Sequence, residues 1–122
     1  MMDGSINIGD RFNQTLQMIR DITKHCKSDI LQYLRMAVIT YAENVVVNLN
    51  WTSDFKQIAS LVSEYSGKYP LTDLALNKSK ELFDHARPNV KKIAVLVTDG
   101  FSARLREAEL SASILRSAGV EV

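Results

Sequence analysis

The chain has 122 residues, 46% of them apolar, so it is long enough for one buried core and too apolar for a disordered segment. Its 15 basic and 14 acidic residues nearly cancel, so the composition does not indicate a nucleic-acid-binding surface. No apolar run reaches the ~18 residues that a membrane-spanning helix needs, and the N-terminus lacks the charged and apolar regions of a signal peptide.

The first half of the chain predicts one helix followed by a pair of strands. Apolar residues at helical spacing predict a helix over about Asp10 to Lys27, with Asp10 as its N-cap. The β-branched run 35–41 predicts a buried strand, and the apolar run 45–49 predicts a strand antiparallel to it. The single cysteine, Cys26, falls on the apolar face of the helix and is expected to be a small buried hydrophobe.

The second half alternates helices with strands. Helical spacing predicts three further helices, over Phe55–Tyr65, from Thr72 to Arg87, and from the loop after Gly100 to a stop at Gly119. The run Ile93–Val97 is apolar throughout, which predicts a buried strand, and another strand begins at Val120. This alternation predicts an α/β domain with a mainly parallel sheet.

Trp51 and Arg104 each have an ordinary structural interpretation. Trp51 follows the second predicted strand and is expected to pack under the next helix, with an anchor on a binding surface as the alternative. Arg104 is expected to be a solvated charge, because basic and acidic residues balance.

Two short polar segments carry the chemistry of the chain. They are Asp3-Gly4-Ser5-Ile6-Asn7 and Thr98-Asp99-Gly100, the second directly after an apolar strand. Because loops at the carboxyl ends of neighbouring strands meet in one crevice, we expect the two segments to lie together. Their carboxylate and hydroxyl oxygens suit a hard cation. The alternatives are a loop or cap role for Asp3 and a helix N-cap role for Asp99.

In order and spacing these segments resemble the von Willebrand factor type A domains. The resemblance covers nearly the whole chain, through the Asp-Gly-Ser loop, the strand at 35–42, the run 92–100 and the helix-to-strand passage 115–122. It implies one domain over residues 1–122, with a doubly wound, mainly parallel sheet and one antiparallel edge strand. It also implies a metal-ion-dependent adhesion site at the top of the sheet, where a carboxylate of a partner protein completes the metal shell.

Two positions depart from the family pattern, which implies a degenerate metal site. Asn7 stands where the family has the second serine of its metal-binding loop, and its amide oxygen can still serve a hard cation. Pro70 aligns with the family's metal-binding threonine, so Thr72 is either a replacement ligand or a helix cap. The ligand set that the resemblance implies for Mg²⁺ is Asp3, Ser5, Asn7, Thr72 and Asp99.

The ends of the chain also depart from the family. There an apolar strand precedes the acidic loop in the middle of the sheet, whereas here only Met1 and Met2 precede Asp3. We therefore expect a partial domain that lacks the first central strand and the last strand and helix, within a longer extracellular or secreted protein. A diverged domain that closes its sheet without that strand is the alternative.

The leading functional interpretation is a non-catalytic protein-binding module of adhesion or extracellular-matrix type. Its partner-binding residues are Asp3, Ser5 and Asp99, and neither nucleic-acid binding nor membrane insertion is expected. The motif order favours this interpretation, as does the absence of a nucleophile–base pair and of a Gly-rich phosphate loop. A metal-independent interaction domain, which Pro70 favours, and a Mg²⁺-dependent phosphoryl-transfer enzyme of doubly wound fold remain as alternatives.

Overall fold

The computed structural model describes residues 1–5, 11–25, 33–54, 56–57, 60 and 67–122. The elements are, in chain order, β1 (Met2–Asp3), α1 (Arg11–His25), β2 (Met36–Tyr41), β3 (Val45–Thr52), α2 (Thr72–Asp84), β4 (Lys92–Ile93), α3 (Leu105–Ser117) and β5 (Val120–Glu121). Most of the predicted helix Phe55–Tyr65, the predicted N-cap Asp10 and Cys26 lie outside the described residues. Among the described helices, none is long and apolar enough to cross a membrane.

Strand β1 joins two ladders into one sheet. β2 pairs antiparallel with β3 on one side and parallel with β1 on the other, where Met2 lies opposite Thr40 and Asp3 opposite Tyr41. β4 pairs parallel with β5, and Met2 also forms a parallel bridge with Val97 just beyond β4. The order across the described strands is therefore β3-β2-β1-β4-β5, and β3 is the antiparallel edge strand that was predicted.

The predicted strand Ile93–Val97 changes partners along its length. Its first part is β4 and pairs with β5. Farther along, the Val97 N–H donates to the Met1 carbonyl and the Val97 carbonyl accepts from the Asp3 N–H, both at 3.0 Å. Because β1 has only two residues, this second ladder is too short to form a continuous strand. The expectation of a run buried throughout is wrong, since Val95 is 60% exposed.

Helices cover both faces of the described sheet. One core contains Met2 and Val38 from the strands with Phe12 and Leu16 from α1. The second core contains Leu76, Phe83, Ala108, Leu115 and Val120, with Met1 packed against it. Successive side chains of an extended segment point to opposite faces, so Met1 and Met2 place the two cores on opposite sides.

The ends of α2 and α3 test three predictions. Gly119 directly follows the C-cap Ala118 and has a φ of 79°, which confirms the predicted helix stop. The cap role predicted for Thr72 is wrong, because the N-cap is Leu71 and no side chain caps the helix. The helical spacing of the apolar residues in α3 also predicts that Leu105 points inward, but Leu105 is 59% exposed, since it is the first residue of α3 and precedes the buried stripe.

Trp51 packs against α2, while most of the predicted helix Phe55–Tyr65, under which it was expected to pack, lies outside the described residues. Its indole N–H donates to the carbonyl of Leu82 at 2.8 Å, and its ring centroid lies 5.2 Å from that of Phe83. Trp51 therefore ties β3 to α2, which favours the packing role over that of an exposed anchor.

Strand β1 lies in the centre of the described sheet, at the position where we expected no strand from the sequence. Beside Met1 lies a cavity of about 390 Å³ with mostly apolar walls, among them Val38 of β2 and Val95 beyond β4. The backbone nitrogen of Met1 lies 2.7 Å from the Val95 carbonyl oxygen.

Candidate functional site

The carboxylate of Asp3 is the centre of the site. It stands at the end of β1 and is only 1% exposed. Its Oδ1 accepts a hydrogen bond from the Ser5 N–H at 2.9 Å, and its Oδ2 accepts one from the Thr98 hydroxyl at 3.3 Å. These donors offset part of the cost of removing the charge from water. The two acidic turns singled out in the sequence are thus in contact at the carboxyl edge of the sheet.

The second turn is shaped by its own side chains. The Thr98 hydroxyl accepts from the Gly100 N–H at 3.2 Å, and the Asp99 Oδ1 accepts from the Phe101 N–H at 3.0 Å. Asp99 is exposed, so its carboxylate lies at the solvent side of the site. The alternative role of Asp99 as a helix N-cap is wrong, because α3 begins after Arg104.

Ser5 is held against a second loop through Gly67. The two residues form a parallel bridge, and the Ser5 hydroxyl is buried with no hydrogen-bond partner in the described part of the chain. Gly67 has a φ of 154°, and a Cβ there would lie 3.2 Å from the Cβ of Ala42 and 3.3 Å from the Glu43 nitrogen. A side chain at this position would therefore crowd the turn at Ala42 and Glu43 and would strain the backbone at its positive φ.

Tyr41 places a phenol hydroxyl among the acidic turns. The residue is fully buried, and its hydroxyl makes no hydrogen bond of acceptable geometry with the described residues. Burial raises the pKa of Tyr41, while the neighbouring hydroxyls of Thr72 and Thr98 lower it. The carboxylates of Asp3 and Asp99 raise this pKa further. All four side chains therefore lie close enough to act on one buried hydroxyl.

The loop that carries Thr72 is fixed by backbone hydrogen bonds on both sides. The Leu71 N–H donates to the Ala42 carbonyl at 3.0 Å, beside Tyr41 at the end of β2. The Pro70 carbonyl accepts from the Ala103 N–H at 3.1 Å, which joins this loop to the turn after Thr98. Thr72 is buried and faces Tyr41, so its hydroxyl belongs to the site rather than to a helix cap.

Arg104 and Asp73 form an ion pair that clamps the same two loops. The Arg104 guanidinium lies 2.7 Å from Asp73 Oδ2, and the side chains are 42% and 6% exposed. The expectation that Arg104 is an ordinary solvated charge is therefore wrong. The near balance of basic and acidic residues could not reveal this ion pair, because Asp73 lies 31 positions before Arg104 and is buried at the start of α2.

Four of the five predicted ligands gather at one edge of the sheet. Asp3, Ser5, Thr72 and Asp99 all belong to the loops just described, whereas Asn7 lies outside the described residues. Sequence reasoning did not place Tyr41 or Thr98 in the ligand set. In the sequence, the position of Thr98 directly before Asp99 could have indicated that its hydroxyl belongs to the site. Tyr41 could not be assigned to the site from the sequence, because its location there depends on the strand register that sets it opposite Asp3.

The oxygen donors of the site are of the kind that a hard cation takes. They are the carboxylates of Asp3 and Asp99 and the hydroxyls of Ser5 and Thr72. No three His, Cys, Asp or Glu side chains cluster within the described residues, so carboxylates alone do not make up a ligand set there. The buried hydroxyls of Ser5 and Tyr41 have no hydrogen-bond partner there, and buried polar groups in that condition call for a ligand or a water. Mg²⁺ takes oxygen ligands and keeps several of its waters, which suits this set.

The fold and the acidic edge define an α/β domain with a candidate cation site at the carboxyl ends of its strands. A family model of the von Willebrand factor type A domain matches residues 1–122. The chain belongs to this family.

Solved structures with the same fold come from distant proteins. Proximal thread matrix protein 1 from the mussel byssus matches 98% of this chain with 21% identity and a TM-score of 0.71. A second structure of that protein, described as having a zinc-occupied metal-ion-dependent adhesion motif, matches with 22% identity and a TM-score of 0.68. An aerotolerance-related membrane protein from Bacteroides fragilis, bearing multiple mutations to serine, matches with 18% identity and a TM-score of 0.68. That match covers 98% of this chain and 61% of the other, whereas the chain spans 32% of the mussel protein.

Replacing Thr98 by Val should weaken the contact between the two acidic turns. The change removes the hydroxyl that donates to Asp3 and accepts from the Gly100 N–H, so we expect a loss of about 1–2 kcal/mol in the free energy of unfolding. Urea denaturation measures this loss. Thr98→Ser keeps the hydroxyl and should lose less stability, whereas a larger loss for Thr98→Ser than for Thr98→Val would show that the methyl group, and not the hydroxyl, holds the turn.

Proposed function

We propose that this chain is a protein-binding module that takes its partner at the carboxyl edge of the sheet through a divalent cation. One observation carries the proposal: the buried Asp3 carboxylate is held by the Thr98 turn, and the hydroxyls of Ser5 and Tyr41 are buried nearby without a hydrogen-bond partner among the described residues. Burying two hydroxyls without partners costs stability, which a bound ligand would recover.

The proposed cation ligands are Asp3, Ser5, Thr72 and Asp99, with Asn7 as the fifth candidate from the sequence. When bound, the cation would supply an electrophilic position for a carboxylate oxygen of the partner. The chain's own contribution is to fix Asp3 through the two hydrogen bonds on its carboxylate and to keep Asp99 at the solvent side. A partner that approaches from solvent would therefore meet Asp99 before Asp3.

The family supports an interaction module, and two alternatives differ in chemistry. A metal-independent module would bind its partner at the same edge, with the hydroxyls of Ser5 and Tyr41 hydrogen-bonded to the partner or to water. Pro70 favours this alternative, because it stands where the family has a metal-binding threonine. A phosphoryl-transfer enzyme would need a basic group to hold the phosphate. The basic side chain that follows Asp99 in this loop, Arg104, is already engaged by the buried Asp73.

An extracellular setting is part of the proposal. The structurally similar proteins include a matrix protein of the mussel byssus and a pilus tip protein of Porphyromonas gingivalis, the latter with a TM-score of 0.59. Both names describe proteins outside the cell, and extracellular fluid supplies the divalent cation that the site needs. A matrix component that presents a carboxylate is therefore the proposed class of partner.

Calorimetric titration with Mg²⁺ and Mn²⁺ tests the cation site. We expect Asp3→Ala and Asp99→Ala each to weaken binding about tenfold or more, because each removes a charged oxygen ligand. Asp84→Ala is the matched control, since Asp84 is exposed at the other end of α2 and should leave the affinity unchanged.

A synthetic peptide with one glutamate, compared with its glutamine counterpart, then tests partner recognition. Binding that requires both the cation and the glutamate supports the proposal. Binding without the cation favours the metal-independent module, and cation-dependent hydrolysis of a phosphate ester would overturn the interaction function.

A further inference from the structure

Tyr41 carries a buried hydroxyl beside the proposed ligands of the cation site. Tyr41 ends β2 directly opposite Asp3 in a parallel ladder, so the two side chains stand on the same face of the sheet. The ring is fully buried and its hydroxyl has no hydrogen-bond partner there. Phenylalanine would fill nearly the same space without burying an unpaired hydroxyl, so stability alone does not explain a tyrosine here.

The backbone at Tyr41 holds the loops that surround this hydroxyl. The Gly4 N–H donates to the Tyr41 carbonyl at 2.7 Å, which fixes the loop that follows Asp3. One residue on, the Ala42 carbonyl accepts from the Leu71 N–H at 3.0 Å, which fixes the loop that carries Thr72. The end of β2 is therefore tied to both loops, and the hydroxyl is enclosed beneath them.

We propose that the Tyr41 hydroxyl is a positioning group of the cation site, where it hydrogen-bonds a water molecule on the bound cation. This inference rests on the proposed cation site. In the family a threonine side chain contacts the metal at the position of Pro70, and proline has no polar side chain, so we assign a polar contact near the cation to Tyr41 instead. The partner is a water because a neutral phenol is a weak metal ligand but both donates and accepts hydrogen bonds.

The neighbouring groups complete the surroundings that such a water needs. Mg²⁺ usually keeps several of its waters, and a buried water makes two to four hydrogen bonds. The Thr72 side chain is buried next to Tyr41, and the Thr98 hydroxyl, also next to Tyr41, contacts Asp3. These two hydroxyls and the phenol would together orient the water.

Tyr41→Phe tests the inference by calorimetric titration of the chain with Mg²⁺ and Mn²⁺. We expect the dissociation constant to rise about five- to tenfold, the usual effect of losing one hydrogen bond in a buried site. Without the cation, the variant should unfold at the same urea concentration as the parent chain or a higher one, because it buries one unpaired hydroxyl fewer. Tyr33→Phe is the control, since Tyr33 is 73% exposed and contacts Arg87 only through its backbone carbonyl.

A second readout follows the phenol itself. Cation binding should change the tyrosine ultraviolet difference spectrum of the parent chain and of Tyr33→Phe, but not that of Tyr41→Phe. If Tyr41→Phe binds the cation as tightly as the parent while Asp3→Ala does not bind it, the inference is overturned and the cation site stands. If the parent chain binds neither cation, the proposed site and the inference both fail.

Discussion

The parallel pairing of β1 on both of its sides is the constraint on which the site depends. Met2 and Asp3 lie opposite Thr40 and Tyr41 on one side, and Asp3 bonds through its backbone to Val97 on the other. In the described sheet, β1 joins the β2-β3 pair on one side to the segment that continues from β4 to Val97 on the other. The side chain of Asp3 is therefore held at the point where three strands end, which is where loops converge in an α/β sheet.

The polar groups buried in the site lower the stability of the fold. The Asp3 carboxylate is buried with two donors, while the hydroxyls of Ser5 and Tyr41 are buried with no described partner. Backbone hydrogen bonds and the Asp73–Arg104 ion pair hold the surrounding loops in place around these groups. An arrangement of this kind is expected where a ligand, rather than the chain, supplies the missing hydrogen bonds.

Elements governed by local pattern were predictable from the sequence. The helical spacing of Phe12 and Leu16 placed the buried face of α1, and β-branched runs placed β2 and β3 because their side chains suit a pleated surface. The division of Ile93–Val97 between two ladders was not predictable, since it depends on which strand lies beside each residue in the folded sheet. The cap role of Thr72 was likewise wrong, because tertiary contact with Tyr41 outweighed a local preference.

By itself the sequence determined the order of helices and strands and the two acidic turns after strand ends, because periodicity and residue type act over short distances along the chain. Only the tertiary structure decided that Thr98 donates to Asp3, that Arg104 pairs with Asp73, and that a tyrosine hydroxyl is enclosed between the turns. These contacts join residues far apart in the chain, and they depend on strand register and loop packing, which no local pattern encodes.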